Sequence, residues 1–229
     1  MDDFLHSDIS TARLLLRPLV RAPEEDPIAL ERFHTLWSNE QATKWSLRGP
    51  SHTLEASKDW MAGTIPLPMP TNRIRIAYLV LYADDDEGFV HPTKIDEKHW
   101  KMAGVITLLA SNFTLEGEVD AGGPRGPEDP FRAVELGYLF MPEVWGKGVA
   151  TESVRGVVDA YRRDVEPARR PLCPREVQAN VHVLNGASRR VLEKVGFTEV
   201  GRFEDMRACL PLVEGHPEAR TILHFRMVG

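Results

Sequence analysis

One stretch constrains the fold of this 229-residue chain more than any other. A strand candidate, Arg132–Met141 (RAVELGYLFM), runs through Pro142 into the loop Glu143-Val144-Trp145-Gly146-Lys147-Gly148, which opens a helix from Val149 to Asp164. The helix shows one apolar stripe, Val154, Val157, Val158, Tyr161 and Val165, at helical spacing. A glycine loop that opens a helix aims several unpaired backbone N–H groups at one point, and the helix dipole adds positive potential there. Such a point suits a phosphate. Lys147 can add a charge contact, and the small Ala150 and Thr151 let a diphosphate lie close. Three readings compete. A nucleotide-triphosphatase loop needs GxxxxGK followed by Ser or Thr, and the chain has no such string. A dinucleotide fingerprint needs a third glycine where Thr151 stands and a turn directly after the strand, where Pro142–Trp145 intervene. In the third reading the glycines only make a tight strand-to-helix turn.

The rest of the chain frames this unit. Arg13–Arg17 is a short strand closed by Pro18, and Glu24–Trp45 reads as a helix with Asp26 as cap and Pro27 at its first position. Ile28, Leu30, Phe33, Leu36 and Trp37 form its apolar side. A second helix is expected from Ser51, its cap, to about Met61, with Leu54, Ser57 and Met61 on one face. Pro66–Pro70 is a loop. Arg73–Tyr82 and Met102–Ala110 are strands, then Glu176–Leu184, a helix Gly186–Val195 stopped by Gly196, and two closing strands, Thr198–Met206 and Ala219–Met227. The mixed order implies one α+β domain over residues 1–229 around a mainly antiparallel sheet, with long insertions near 83–100 and 112–131.

Composition narrows the function classes. The 28 Lys and Arg against 34 Asp and Glu give a formal charge of −6, which argues against broad nucleic-acid binding and against an anionic membrane surface as partner. Cys173 and Cys209 are too few for a cysteine-built zinc site and read as free thiols in a reducing compartment. No cluster has metal-ligand spacing, so no metal is expected. The acidic start MDDFLHSDIS has no apolar signal region, and no run approaches a membrane span. The expectation is a cytoplasmic protein, monomeric or homodimeric.

A second motif, Asn185-Gly186-Ala187-Ser188-Arg189-Arg190-Val191-Leu192-Glu193-Lys194-Val195-Gly196-Phe197, follows the next strand. Asn185 is a good cap, and Ser188, one turn on, can face the same sheet edge as the glycine loop. Together, strand–WGKGVAT–helix and strand–NGASRRVLEKVGF resemble the GCN5-related N-acetyltransferase (GNAT) superfamily. TARLLLRPL, ELGYLF and the two closing strands resemble its ribosomal-protein N-terminal acetyltransferase branch. The resemblance runs from about Thr11 to Met227. It departs from the superfamily at the loop start, where Trp145 replaces the frequent Gln or Arg, and in the two insertions.

The resemblance implies the GNAT fold: a mixed, mainly antiparallel sheet, flanked by helices, whose two central parallel strands splay apart. It implies acetyl-CoA as co-substrate, lying in the gap. Leu139, Phe140 and Met141 would bond the pantetheine through their backbone. Trp145, Gly146, Lys147, Gly148, Val149, Ala150 and Thr151 would hold the pyrophosphate. Asn185 would bond the pantetheine arm, Ser188 would sit near the sulfur, and Arg190 would lie near the nucleotide. The acceptor is a small-molecule amine or a peptide or protein N-terminus, attacking directly. The base candidate is Glu135, against the alternative of a strand carboxylate paired with an Arg. The acid candidate is Ser188, with Tyr138 a weaker one. Tyr138 and Trp45 are expected at the acceptor pocket, and His182 reads as a structural histidine. Alternatives to the enzyme are a non-catalytic acyl-CoA-binding regulatory module on the same fold and a nucleotide-binding oxidoreductase.

Overall fold

The computed structural model describes residues 7–64, 75–85, 88–111, 113, 133–164, 176–205, 210 and 214–227. Cys173, Cys209, the Pro66–Pro70 loop and the second insertion, save Phe113, lie outside the described residues. Nine strands make one sheet there: β1 (Ile9–Ser10), β2 (Leu15–Pro18), β3 (Arg75–Asp85), β4 (Gly88–Val90), β5 (Lys101–Ser111), β6 (Ala133–Phe140), β7 (Glu176–His182), β8 (Thr198–Glu204) and β9 (Thr221–Met227). Their order is β1-β2-β3-β5-β6-β7-β9-β8, with β4 hairpinned onto the far end of β3. All pairs are antiparallel except β6–β7. The first insertion is therefore only partly loop: it holds that hairpin and two 3₁₀ turns, Pro92–Lys94 and Glu97–His99.

The single long helix expected at Glu24–Trp45 is two. α1 (Pro27–Trp37) begins as expected, with Asp26 accepting from the Ala29 N–H at 3.0 Å. It stops at Ser38, because Asn39 caps a new turn, α2 (Glu40–Thr43), by accepting from the Ala42 N–H. Leu30, Phe33, Leu36 and Trp37 are buried, whereas Ile28 is exposed. α3 (Leu54–Thr64) starts three residues later than expected. Its cap is Thr53, whose hydroxyl accepts from the Ala56 N–H, and not Ser51, whose buried hydroxyl accepts from Arg48. Ser57 and Met61 face inward, and Leu54 does not.

Strand alternation sorts the core into two layers. Even residues of β6 and odd residues of β7 and β9 (Val134, Leu136, Val177, Ala179, Leu223, Phe225) pack under α4 (Val149–Asp164) and α5 (Gly186–Val195). The opposite face of β2, β3 and β5 packs on α1 and Met61 of α3. On that same face, towards β7, lie Glu135, Gln178, Asn180 and His182, because paired residues share a face and Glu135 pairs with Gln178.

β5 carries a bulge. Val80 pairs with Gly104 and Leu81 with Met102, so Ala103 has no partner in β3. Its carbonyl instead accepts from the Met141 N–H, which ties the end of β6 to β5. Gly104 is needed beside the bulge. A Cβ there would lie 2.5 Å from Phe140 Cδ1 and overlap the Leu139 carbonyl oxygen. We expect Gly104→Ala to cost about 1–3 kcal/mol through overpacking, lowering the melting temperature by about 2–12 °C in a chain of this size. Calorimetry of the two proteins checks this.

Candidate active site

The parallel pair β6–β7 is short. Ala133, Val134 and Glu135 pair with Glu176, Val177 and Gln178, and the pairing stops there, although β6 runs on to Phe140 and β7 to His182. Each strand stays paired to its outer neighbour, β6 to β5 and β7 to β9. The two therefore diverge.

The ladder pattern decides which backbone groups face the gap. In an antiparallel pair, alternate residues point their N–H and C=O at the partner. The Met141 N–H bonds Ala103 and the Val183 N–H bonds Thr221, so odd residues of β6 and β7 are engaged outward. Tyr138 and Phe140 on one side, and Asn180 and His182 on the other, turn their backbone groups into the gap. This refines the expectation for Leu139–Met141: only Phe140 of the three faces the opening, and Tyr138 joins it. The Phe140 carbonyl accepts the Trp145 indole N–H at 2.9 Å, and the His182 carbonyl accepts from the Asn185 N–H.

At the wide end of the gap stands the glycine turn. After a 3₁₀ turn, Pro142–Val144, Gly146 (φ +74°) and Gly148 (φ +79°) take left-handed backbone angles that other residues reach only at a cost. The first bond of α4 runs from the Glu152 N–H to the Gly148 carbonyl, so the N–H groups of residues 148–151 have no helical acceptor. Free N–H groups at the positive end of a 16-residue helix are suited to an anion.

Cations converge there from distant sequence. Lys44, after α2, lies 5.0 Å from the Trp145 ring centroid, and Lys147 lies over the Phe89 ring. Arg13 reaches the turn as well, donating to the Lys147 carbonyl and lying 3.5 Å from where a Gly148 Cβ would be. Glu152 fixes it: its carboxylate accepts from Thr11 Oγ1 (2.6 Å), from the Arg13 N–H (2.9 Å) and from Arg13 Nε (2.8 Å). Burial works to raise the Glu152 pKa, but those hydrogen bonds and the guanidinium hold it below the usual carboxylate range. Neither Arg13 nor Lys44 carries a local signal of this role, since each is brought to the turn only by the fold.

Asn185 caps α5, accepting from the Ser188 N–H at 3.1 Å, and Gly196 ends that helix in the left-handed region. Ser188 Oγ lies 2.8 Å from the Tyr138 hydroxyl, which also contacts the Ser188 carbonyl at 3.2 Å. Burial pushes the Tyr138 pKa up to about 12 against the opposing Ser188 hydrogen bond, so this phenol keeps its proton at neutral pH. Tyr138 thus turns to the α5 face, away from Trp45, because it is an even residue of β6. Arg190 is exposed on α5, with its guanidinium folded back toward Gly186.

On the other face, Trp45 packs with Leu184, Leu210 and Ala219, its ring 5.3 Å from that of His182. Both His182 nitrogens are satisfied by backbone: Nδ1 accepts from the Leu184 N–H and Nε2 donates to the Ala219 carbonyl. Glu135 lies on this face. Burial raises its pKa, and a hydrogen bond from the Asn180 side chain pulls the other way. No pairing of Glu135 with an Arg is among the described contacts. His224, fully buried, bonds Asn180 Oδ1 through Nδ1 at 2.8 Å, and its pKa is pushed down to about 4 by burial and by Arg226. Among the described residues, no group of three or more His, Cys, Asp or Glu side chains is placed to hold a metal ion. No helix there is long and apolar enough to cross a membrane.

A mixed sheet split between two parallel strands, with a glycine turn opening a helix beside the split, is the architecture of the GNAT acetyltransferases. The chain belongs to that family: residues 13–198 match the model of the acetyltransferase (GNAT) domain. No curated protein matches the sequence. Among solved structures it is similar to RimL, a ribosomal L7/L12 α-N-protein acetyltransferase in complex with coenzyme A, with a TM-score of 0.62 and 17% identity over 97% of this chain and 98% of that one. It is also similar to the Salmonella typhimurium acetyl transferase that modifies the N-terminal serine of L7/L12 (0.61, 19%, covering 97% and 99%). A spermidine N-acetyltransferase from Vibrio cholerae in complex with coenzyme A and spermine is similar too (0.56, 15%, covering 95% and 96%). At these identities the likeness speaks to the fold.

The buried His224 makes a pH prediction. Its folded pKa, about 4, lies below the ordinary histidine value of about 6.5, so between those values the unfolded chain binds the extra proton. The stabilising neutral form is fully present above 6.5 and is lost as pH falls toward 4. His224→Asn removes that titration. Thermal melts from pH 8 to pH 4 should show a smaller acid loss in the variant than in the parent protein.

Proposed function

We propose that the protein transfers an acetyl group from acetyl-CoA to a primary amine, on a small molecule or at a peptide or protein N-terminus, by direct attack. The observation that carries this reading is the gap that opens after Glu135 and Gln178, with unpaired strand edges on both sides and the helix N-terminus at its mouth. An amide-rich pantetheine arm can pair with those edges as a short extra strand would. Tyr138 and Phe140 take the place of a paired strand on one side, and Asn185 guards the far end of β7. The N–H groups of Gly148, Val149, Ala150 and Thr151 hold the diphosphate, with Lys147, Arg13 and Lys44 adding charge and Trp145 and Gly146 shaping the turn. Arg190 lies on the same helix as Ser188 and serves the nucleotide end.

The acceptor amine must lose a proton before it attacks. At pH 7 that costs about 1 kcal/mol for an α-amine and about 4–5 kcal/mol for a lysine-like amine. Glu135 takes that proton, directly or through water. Its burial makes it a stronger base than an exposed carboxylate. The carbonyl oxygen gains charge as the tetrahedral intermediate forms, and a gap-facing backbone N–H of β6 is its donor. Collapse of the intermediate breaks the C–S bond. The departing thiolate takes the Ser188 hydroxyl proton, and the Tyr138 hydroxyl, 2.8 Å from Ser188 Oγ and protonated at neutral pH, stands next in line to return it. Trp45 walls the acceptor side.

Acetyl-CoA at about a hundred times its dissociation constant should stabilise the protein by about 2.7 kcal/mol, a rise of about 5–11 °C in melting temperature. NAD(H) should give no shift. Gly148→Val, which places a branched side chain at φ +79°, should remove the acetyl-CoA shift. A shift with NAD(H) alone would overturn the reading.

Free-thiol release with acetyl-CoA against a panel of amines and N-terminal peptides identifies the acceptor. With that acceptor, Glu135→Gln should lower kcat by about 10²–10⁴-fold and leave coenzyme affinity within about twofold. Unchanged turnover would dismiss Glu135 as the base.

A further inference from the structure

Behind Glu135 runs a line of side chains that the chemistry above does not use. Glu135 on β6 and Asn180 on β7, which stands two positions past Glu135's partner Gln178, are diagonal neighbours on one face, and their side chains hydrogen-bond. Asn180 Oδ1 meets His224 Nδ1 at 2.8 Å, and His224 Nε2 accepts from Arg226 Nε at 3.1 Å. The Glu176 carboxylate lies 3.2 Å from the same Nε.

The polarity of this line is set from its far end. A guanidinium can only donate, so His224 Nε2 is the bare nitrogen. The neutral ring then carries its one proton on Nδ1, where it donates. The Asn180 atom that it meets must therefore be the oxygen, which leaves the Asn180 NH₂ to face Glu135. His224 has no exposed surface. Among the described residues, it faces Arg226 on its own strand, Asn180 with Glu176 beyond it on β7, the side-chain-free Gly201 on β8, and the Phe113 ring at 5.0 Å. Glu135 is reached only through Asn180.

We propose that Asn180, oriented by His224 and Arg226, is a positioning residue that keeps an N–H donor on the Glu135 carboxylate. The proposal rests on Glu135 being the base. A carboxylate buried with no donor stays protonated well above its ordinary range and is no base at neutral pH. A cation in direct contact would have the opposite fault, stabilising the charged form until it no longer takes protons. A neutral amide donor lies between these limits. Arg226 sets its direction from two residues away, with its own charge answered by Glu176.

The test follows Glu135 itself. In protein labelled with [5-¹³C]glutamate, the Glu135 carboxyl resonance is the one missing from Glu135→Gln. Its titration midpoint should lie above the usual carboxylate range. It should rise by at least about 0.5 pH unit, roughly a threefold loss of carboxylate on the acid side, in His224→Leu and Asn180→Ala. His224→Asn, whose side-chain NH₂ stands in for the Nδ1 donor, should restore it. The parent protein gives a reading that needs no variant: ¹⁵N signals of His224 at pH 6 should show Nδ1 protonated and Nε2 bare. A protonated Nε2, or a midpoint unmoved in both variants, overturns the proposal and leaves Glu135 as base intact. With an accepted amine, the acid limb of kcat/KM should move with the resonance. If Glu135→Gln keeps that limb and its turnover, the base reading falls, and this proposal with it.

Discussion

Three paired residues hold β6 against β7, and beyond Glu135 and Gln178 the two strands part. The parting follows from how each strand is held on its other side. β6 is paired to β5 along its whole length and tied again at Met141 by the bulged Ala103. β7 is paired to β9 from Val177 to His182 and tied again at Val183. With both strands held outward, the sheet opens at the one seam without a continuous ladder. A buried strand edge without partners is costly, so a seam like this asks for a polar guest. The Phe140 and His182 carbonyls already bond Trp145 and Asn185, and in the proposed reading the other gap-facing groups of Tyr138, Phe140, Asn180 and His182 pair with the pantetheine amides.

The mouth of the seam gathers charge that the whole chain lacks. The protein is acidic by six charges, yet the positive end of α4, Arg13, Lys44 and Lys147 meet at one turn. Glu152 answers the charge of Arg13, at 2.7 Å from Nη2, and leaves Lys44, Lys147 and the helix end as the net positive groups. By accepting from Thr11 and from both backbone and side chain of Arg13, it clasps the amino-terminal hairpin to the first turn of α4. Net charge is a property of composition, whereas the field at one turn depends on which side chains the fold collects there.

Alternation along β6 divides the proposed chemistry. Glu135 and Tyr138 are three residues apart, an odd number, so they emerge on opposite faces. One face holds a carboxylate with a raised pKa beside the Asn180–His224 line. The other holds a phenol that keeps its proton and a serine hydroxyl 2.8 Å from it. Titrating groups set apart in this way suit a reaction in which an amine loses its proton on one side of the thioester and the sulfur gains one on the other.

Much of this was legible in the order of residues. The helix Val149–Asp164 and the helix Gly186–Val195 with its Gly196 stop stand where their caps, stripes and glycines place them. Those are local signals, each settled within a turn or two of backbone. The glycine loop and the Asn185–Ser188 motif were legible for the same reason, and so was the family. The helix ends that were misplaced were also set locally: Asn39 and Thr53 each accept from an N–H three residues on, and either cap competes with the apolar spacing around it. Tyr138 and Trp45 stand on opposite faces because pleat parity, counted from the Glu135–Gln178 pair, turns Tyr138 toward α5. The sequence by itself thus determined most of the elements and the glycine turn that opens α4. Only the tertiary structure decided that Arg13 and Lys44 reach that turn and that His224 orients Asn180 toward Glu135. Those contacts join residues tens to more than a hundred positions apart, and no local periodicity records which strands will lie side by side.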